Sequence, residues 1–187
     1  MKIYQWIAAG AAIVALTGGN AFAEATKAEK RAELIKSSHA TLADFYKAEP
    51  KLKGMVEKST GYATFTTYGL SFLIGGAGGK GVVHDRKTGK ETFMDMAQAS
   101  AGVQIGASQS RVLIVFKNEK AVQNFVDKGW EFGGGGAASA GVADKKVGSG
   151  SGENLISDAT YYTLTPNGLQ YGGAIAGTKF WKDKDLN

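Results

Sequence analysis

Glycine stands in this chain where most proteins place side chains. Of 187 residues 27 are glycine and two are proline. The glycines crowd apolar stretches, Gly75 to Val83, Ala101 to Ser108, Gly133 to Ala143 and Tyr171 to Gly177, rather than polar linkers. A glycine inside a helix costs about 1 kcal/mol relative to alanine, which argues against a helical bundle, and no triplet period points to collagen. In strands, glycine marks places where the backbone bends or another element comes close. No strict period relates the four segments, so they are not repeats. The expected fold class is α+β: a strongly curved antiparallel sheet or partial barrel, with an N-terminal amphipathic helix and one or two further helices.

The first 23 residues read as something to be removed. Lys2 precedes the apolar run Ile7 to Leu16, then small residues and the triplet Ala21-Phe22-Ala23 before Glu24. That order is expected of a secretory signal peptide, and the run is about half the ~20 residues needed to span a bilayer. The expected organisation is a signal peptide over residues 1–23 and one domain over 24–187. The chain contains no cysteine. Disulfide scaffolds, thiol catalysis, cysteinyl metal sites and a lipoprotein anchor are therefore excluded. A cysteine-free exported chain suits an oxidising periplasm.

Thr26-Lys-Ala-Glu29 has capping-box spacing, so a helix is expected to start there. Ala28, Ala32, Ile35, His39, Leu42 and Tyr46 recur at intervals of four and three as its semi-apolar stripe, with Leu34 and Phe45 widening it. Pro50 ends it and opens a short second helix to Lys58. Beyond Tyr62 the period changes to that of strands: 62–67, 70–74, 81–84, 91–95, 103–107 and 111–116, the last apolar on both faces and so expected inside the sheet. Gly89 in the hairpin Asp85 to Lys90 suits a left-handed turn. Asn118 caps a third helix that Gly129 ends. Further strands are expected over 132–142, 159–164 and 169–175, with Pro166-Asn-Gly168 as a turn.

Catalytic chemistry finds no support. Gly76-Ala-Gly78-Gly-Lys-Gly81 spells a dinucleotide fingerprint, but a strand, Val82-Val-His-Asp, follows it where a helix N-terminus is required. The P-loop pattern fails at Ile74 and Gly81. His39 and His84 are the only histidines, so no metal site or cofactor is expected, and His84 and Asp85 point to opposite faces of a strand. No glycine-x-serine-x-glycine elbow occurs, and no catalytic residue is assigned.

What remains is charge. The chain past residue 23 has 21 basic and 17 acidic residues. That surplus is small for a nucleic-acid partner, which export also removes. Lys27, Lys30 and Arg31 on the first helix, Lys80 in the glycine-rich turn and Arg111 at the head of a strand are the candidate contacts for phosphate headgroups. Phe180-Trp181 between two lysines reads as an aromatic anchor closing the core, or as a membrane-interface pair.

The succession Gly75-Gly-Ala-Gly-Gly-Lys-Gly-Val-Val83, Gly102-Val-Gln-Ile-Gly106, Val112-Leu-Ile-Val-Phe116, Phe132-Gly133 and Gly168-Leu-Gln-Tyr-Gly172 resembles the SYLF family of lipid-binding domains, over roughly Leu34 to Trp181. The resemblance implies a non-enzymatic module that binds anionic phospholipids through an amphipathic N-terminal segment and basic residues, and in some eukaryotic members associates with actin. For an exported chain, the expected partner is the anionic phospholipid surface of an envelope membrane. The rival expectation is an envelope interaction or scaffold protein whose sheet edge or glycine-rich surface docks a protein partner. An outer-membrane barrel is disfavoured by the helix at 117–128 and by the ending Asp185-Leu-Asn.

Overall fold

The structure is a computed structural model, and it describes residues 26–70, 76–99, 110–132, 158–171 and 178–187. The expected signal peptide, the strand over 103–107 and most of those over 70–74 and 132–142 lie outside these residues.

The described elements run α1 (Lys27–Ala48), α2 (Lys51–Lys58), β1 (Gly61–Leu70), β2 (Gly76–Asp85), β3 (Glu91–Ala99), β4 (Ser110–Phe116), α3 (Glu119–Lys128), β5 (Trp130–Phe132), β6 (Ala159–Thr165), β7 (Gly168–Tyr171) and β8 (Thr178–Lys182). The strands form one eight-stranded antiparallel sheet in the order β5-β8-β3-β2-β1-β4-β6-β7. As expected, β4 lies inside it.

Chain reach alone requires the sheet to curl. Tyr171 ends β7 and Thr178 begins β8, six strand positions away in that order. In a flat sheet six spacings separate them by about 29 Å sideways. Seven residue steps reach at most about 25 Å. Side chains confirm the curl. The Phe65 ring on β1 lies 4.8 Å from that of Phe180 on β8, three strands away, and Phe116 on β4 lies 5.7 Å from Trp130 on β5, five strands away. Only a concave face brings such distant strands together, and the result is a half-barrel.

That concave face holds the main core: Phe65, Met94, Met96, Val112, Ile114, Phe116 and Phe180, closed by α3. Asn118 caps α3 by accepting the Ala121 amide at 2.9 Å, as its sequence predicts. Phe125 of α3 is fully buried, with ring centroids 4.6 to 6.2 Å from Trp130, Phe116, Phe180 and Phe65.

The curvature explains the glycines of β2. A Cβ on Gly81 would overlap the Phe65 ring and the Thr64 carbonyl oxygen, and one on Gly79 would come within 2.7 Å of the Thr66 carbonyl oxygen. The stretch read as a glycine-rich turn is therefore strand from Gly76 onward, and Lys80 stands within it.

On the convex face, α1 and α2 bury Phe45, Leu52 and Val56 against Tyr62, Leu113, Val115 and Tyr162. Leu34 and Ile35 pack on Val82, Phe93 and Leu186. The stripe expected of α1 needs correction. Ala28, Ala32 and His39 are exposed, and the residues buried along the helix are Ser38, Thr41 and Phe45. Ile35, Leu42 and Tyr46 of the stripe do pack on the sheet, and hydroxyl groups that hydrophobic periodicity does not count share the contact.

Candidate functional surface

The capping box is complete: Glu29 N donates to Thr26 Oγ1 at 3.2 Å, and Thr26 N donates to the Glu29 carboxylate at 2.7 Å. It fixes where α1 begins and thus where its cations stand. Lys27 Nζ donates to a main-chain oxygen of Asn187 at 3.1 Å, and Arg31 Nε to the Leu186 carbonyl at 2.6 Å. The Arg31 guanidinium also lies 5.7 Å from the centroid of the Phe93 ring. Lys30, half-buried, lies between them on the same turns.

The tail they grasp is itself fastened. Asp183 accepts the amides of Asp185 and Leu186 at 2.9 and 3.0 Å. The Asn187 side-chain amide donates to the Phe93 carbonyl at 2.7 Å and accepts the Phe93 amide at 3.0 Å, so it imitates one more residue of a neighbouring strand.

Lys80 and Arg111 both lie beside Thr66 in the cross-strand register. Both face carboxylates in this structure. Lys80 Nζ sits 2.7 Å from Asp95 and 2.6 Å from Asp183, and Arg111 Nε 3.4 Å from Asp44. Burial works to lower the Lys80 pKa, but hydrogen bonds to Asp183 and Asp95 outweigh it and hold it above the ordinary lysine value. Burial likewise works to raise Asp183, yet Lys80 and the two backbone amides hold it below the ordinary carboxylate value. The five predicted cations thus divide. Lys27, Lys30 and Arg31 share the first turns of α1, whereas Lys80 and Arg111 are tied to carboxylates.

The contact between α1 and the sheet holds a polar seam that sequence reasoning missed. Ser38 Oγ lies 2.5 Å from Thr64 Oγ1 and 3.0 Å from His84 Nε2, while Thr41 and Thr66 hydroxyls meet at 3.1 Å. His84 Nδ1 stands 3.3 Å from Glu91, Tyr62 stacks on the imidazole at 4.6 Å and His39 at 5.8 Å. Burial, with the His39 ring acting the same way, pushes the His84 pKa down to about 4. One signal could have revealed the Glu91 contact: the hairpin Asp85 to Lys90 sets His84 directly opposite Glu91.

Serine, histidine and glutamate in this order have the connectivity of a hydrolytic triad, but the setting differs. Ser38 is 4% exposed, its oxygen is shared with Thr64, and it lies in the middle of a 22-residue helix whose backbone amides are committed to the helix. Such a serine has no oxyanion donors beside it and no room for an acyl group. The seam holds a helix in place. Among the described residues no group of three or more histidine, aspartate or glutamate side chains is placed to hold a metal ion.

Among the described residues three large apolar side chains are exposed, Met55, Tyr171 and Trp181. Tyr162 joins the first two, its hydroxyl 3.5 Å from the Met55 sulfur and its ring 5.1 Å from that of Tyr171. Phe180 is the core anchor expected, and its neighbour Trp181 points outward. Among the described residues no helix is long and apolar enough to cross a membrane.

Two comparisons with known proteins bear on this surface. Residues 97–187 match the Ysc84 family model, described as Las17-binding protein actin regulator. The chain is 29% identical over 161 residues to beta cell expansion factor A of Aeromonas veronii, an alignment covering 86% of this chain and 60% of that protein. The chain thus spans less than two thirds of that relative's length.

Proposed function

Because the chain carries a Ysc84 (SYLF) domain, we propose that it is an exported, non-enzymatic module that recognises anionic phospholipid headgroups at the surface of an envelope membrane. The observation that carries this reading is the partner set of the α1 cations. Arg31 donates to the Leu186 carbonyl, which is neutral and leaves its charge uncancelled, and Lys27 donates to a main-chain oxygen of Asn187 rather than to an acidic side chain. Lys80 and Arg111 instead face carboxylates. Ala28 and Ala32 are exposed beside the α1 cations and offer a small apolar strip to the interface. A signal peptide over residues 1–23 would deliver the protein to a compartment whose anionic lipids are phosphatidylglycerol, cardiolipin and lipopolysaccharide. That compartment holds neither phosphoinositides nor actin.

Each lysine or arginine near an anionic surface contributes about 1 kcal/mol, screened by salt. Protein purified after expression of the full chain is expected to sediment with phosphatidylglycerol vesicles and to be released by salt. Replacing Lys27, Lys30 and Arg31 with glutamine should weaken binding at least tenfold, whereas Lys80→Gln should change it less than twofold. Equal binding to neutral vesicles, or an unaffected triple variant, would reject the proposal.

A second reading, an envelope protein partner, draws on the edge strand β7. Tyr171 there is 54% exposed and Met55 is 42% exposed, an apolar pair that a protein partner could cover. Cross-linking from position 171 to one stoichiometric protein, with no vesicle binding, would favour it.

A further inference from the structure

The α1 helix spans 22 residues, yet only Ser38, Thr41 and Phe45 are buried along it. Two of those three meet the sheet through hydroxyl groups. Hydrogen bonds between uncharged groups stabilise a contact only modestly, and a reversed or broken one costs more than it gave. Apolar contacts of Leu34, Ile35, Leu42 and Phe45 share in holding the helix, and at its middle the hold depends on the direction of these hydrogen bonds.

That direction is set by His84. A carboxylate only accepts, so Glu91 assigns the imidazole proton to Nδ1, and Nε2 becomes an acceptor. Ser38 then donates its hydroxyl proton to Nε2, and Thr64 donates to Ser38. The chain of donors runs one way. A second proton on the ring turns Nε2 into a donor. Ser38 must then surrender its bond to the ring or turn its proton onto Thr64, and a cation lies at the contact between helix and sheet. Among the described residues, the titratable groups facing the ring are Glu91 on β3, Tyr62 on β1 and His39 on α1. Only Glu91 favours the cation. It stands at the rim, 31% exposed, where water weakens its pull.

We propose that Ser38, Thr64, His84 and Glu91 form a proton-sensitive latch, which holds α1 on the sheet while His84 is neutral and releases the segment from Lys27 to Asp44 when His84 is protonated. This rests on the lipid-binding reading for its purpose, since the freed segment carries Lys27, Lys30 and Arg31. The latch itself does not depend on lipid. The sign follows from linkage. A histidine held at about 4 when docked and near 6.5 when released stabilises docking above pH 6.5, and that stabilisation is lost as pH falls toward 4. Between pH 7.5 and pH 5.0 the ratio of released to docked helix is expected to rise about 30-fold.

Hydrogen exchange of the whole protein without lipid reads the latch directly. After correction for intrinsic rates, α1 amides should lose about 30-fold protection between pH 7.5 and 5.0 while β1 amides keep theirs. His84→Gln should remove this dependence, and His39→Gln should retain it. Should His84→Gln not fold, the ring resonances of His84 in the unaltered protein serve instead: titration well below 6.5 agrees with the latch, and titration near 6.5 overturns it. Unchanged α1 protection at pH 5.0 also overturns it, whatever vesicles show. Loss of protection without stronger binding to phosphatidylglycerol vesicles at pH 5.0 leaves the latch standing and removes its membrane purpose.

Discussion

Two glycines on β2 should respond to the same substitution with opposite signs. At Gly81 an added methyl would overlap both the Phe65 ring and the backbone carbonyl of Thr64, whereas at Gly78 nothing lies within 4 Å. Neither has the positive φ that would strain an alanine, since the glycines with positive φ are 89, 129 and 168 among those described. Replacing glycine by alanine where the backbone tolerates it stabilises a protein by about 0.4–1 kcal/mol, through the unfolded chain. Gly78→Ala should show that gain. At Gly81 the same gain is opposed by overpacking of about 1–3 kcal/mol, because the carbonyl belongs to a paired strand and cannot step aside. Gly81→Ala should therefore be less stable by about 1–2 kcal/mol, which in a protein this size lowers Tm by about 2–8 °C. Urea denaturation at pH 7 measures both variants. Adding Phe65→Leu to Gly81→Ala should recover part of the loss, a coupling of about 0.5–1 kcal/mol. If Gly81→Ala matched Gly78→Ala in stability, the glycines of β2 would not be explained by the tight inner radius of the sheet.

Phe125→Ala should cost about 3–5 kcal/mol in urea denaturation, because the ring is fully buried among four aromatic neighbours and the half-barrel cannot collapse onto the hole; a cost below 1 kcal/mol would mean that α3 does not close the core. Asp183→Asn should destabilise the protein by about 1–2 kcal/mol at pH 7, since the side chain is 6% exposed and bonded to Lys80. Asp183 is held below the ordinary carboxylate value, so its contribution is complete above about pH 4 and is lost as pH falls through its native pKa. Lys80 is held above the ordinary lysine value, so its share persists to about pH 10.5 and is lost above it. A stability difference between the two proteins that stayed constant down to pH 2 would contradict the pairing.

Local signals were legible where a few neighbouring residues decide the outcome. Thr26 with Glu29, Asn118 with Ala121, and the left-handed turn at Gly89 all stand where their spacing predicts. Gly129 ends α3 at φ 67° beneath the Phe180 carbonyl. The strand β8 was not legible as a strand. Thr-Lys-Phe-Trp-Lys carries two aromatics in a row between lysines, and what makes it a strand is pairing with β3 and β5 far away in sequence. The candidate site was less legible than the fold. Lys80 seemed suited to phosphate because Asp183, 103 residues on, could not be known to approach it. Lys27 and Arg31 were placed correctly on the helix, but the main-chain oxygens of residues 186 and 187 that receive them carry no sequence mark. The hydroxyl seam escaped because Ser38, Thr41 and Thr64 look like surface residues in any scale that counts only apolar groups.

The pairing of Met96 with Phe180 joins positions 84 apart, whereas β1, β2 and β3 follow one another through two links of five residues each. Early hairpins of this kind form quickly, and distant ones wait on the slow search that brings far segments together. Until residues 178–182 arrive, β3 keeps a bare edge of backbone donors and acceptors that invites another chain. Yield and aggregation during refolding should accordingly depend on changes in β8 more than their effect on final stability would suggest, and a brief refolding delay before β3 amides become protected would be its kinetic trace.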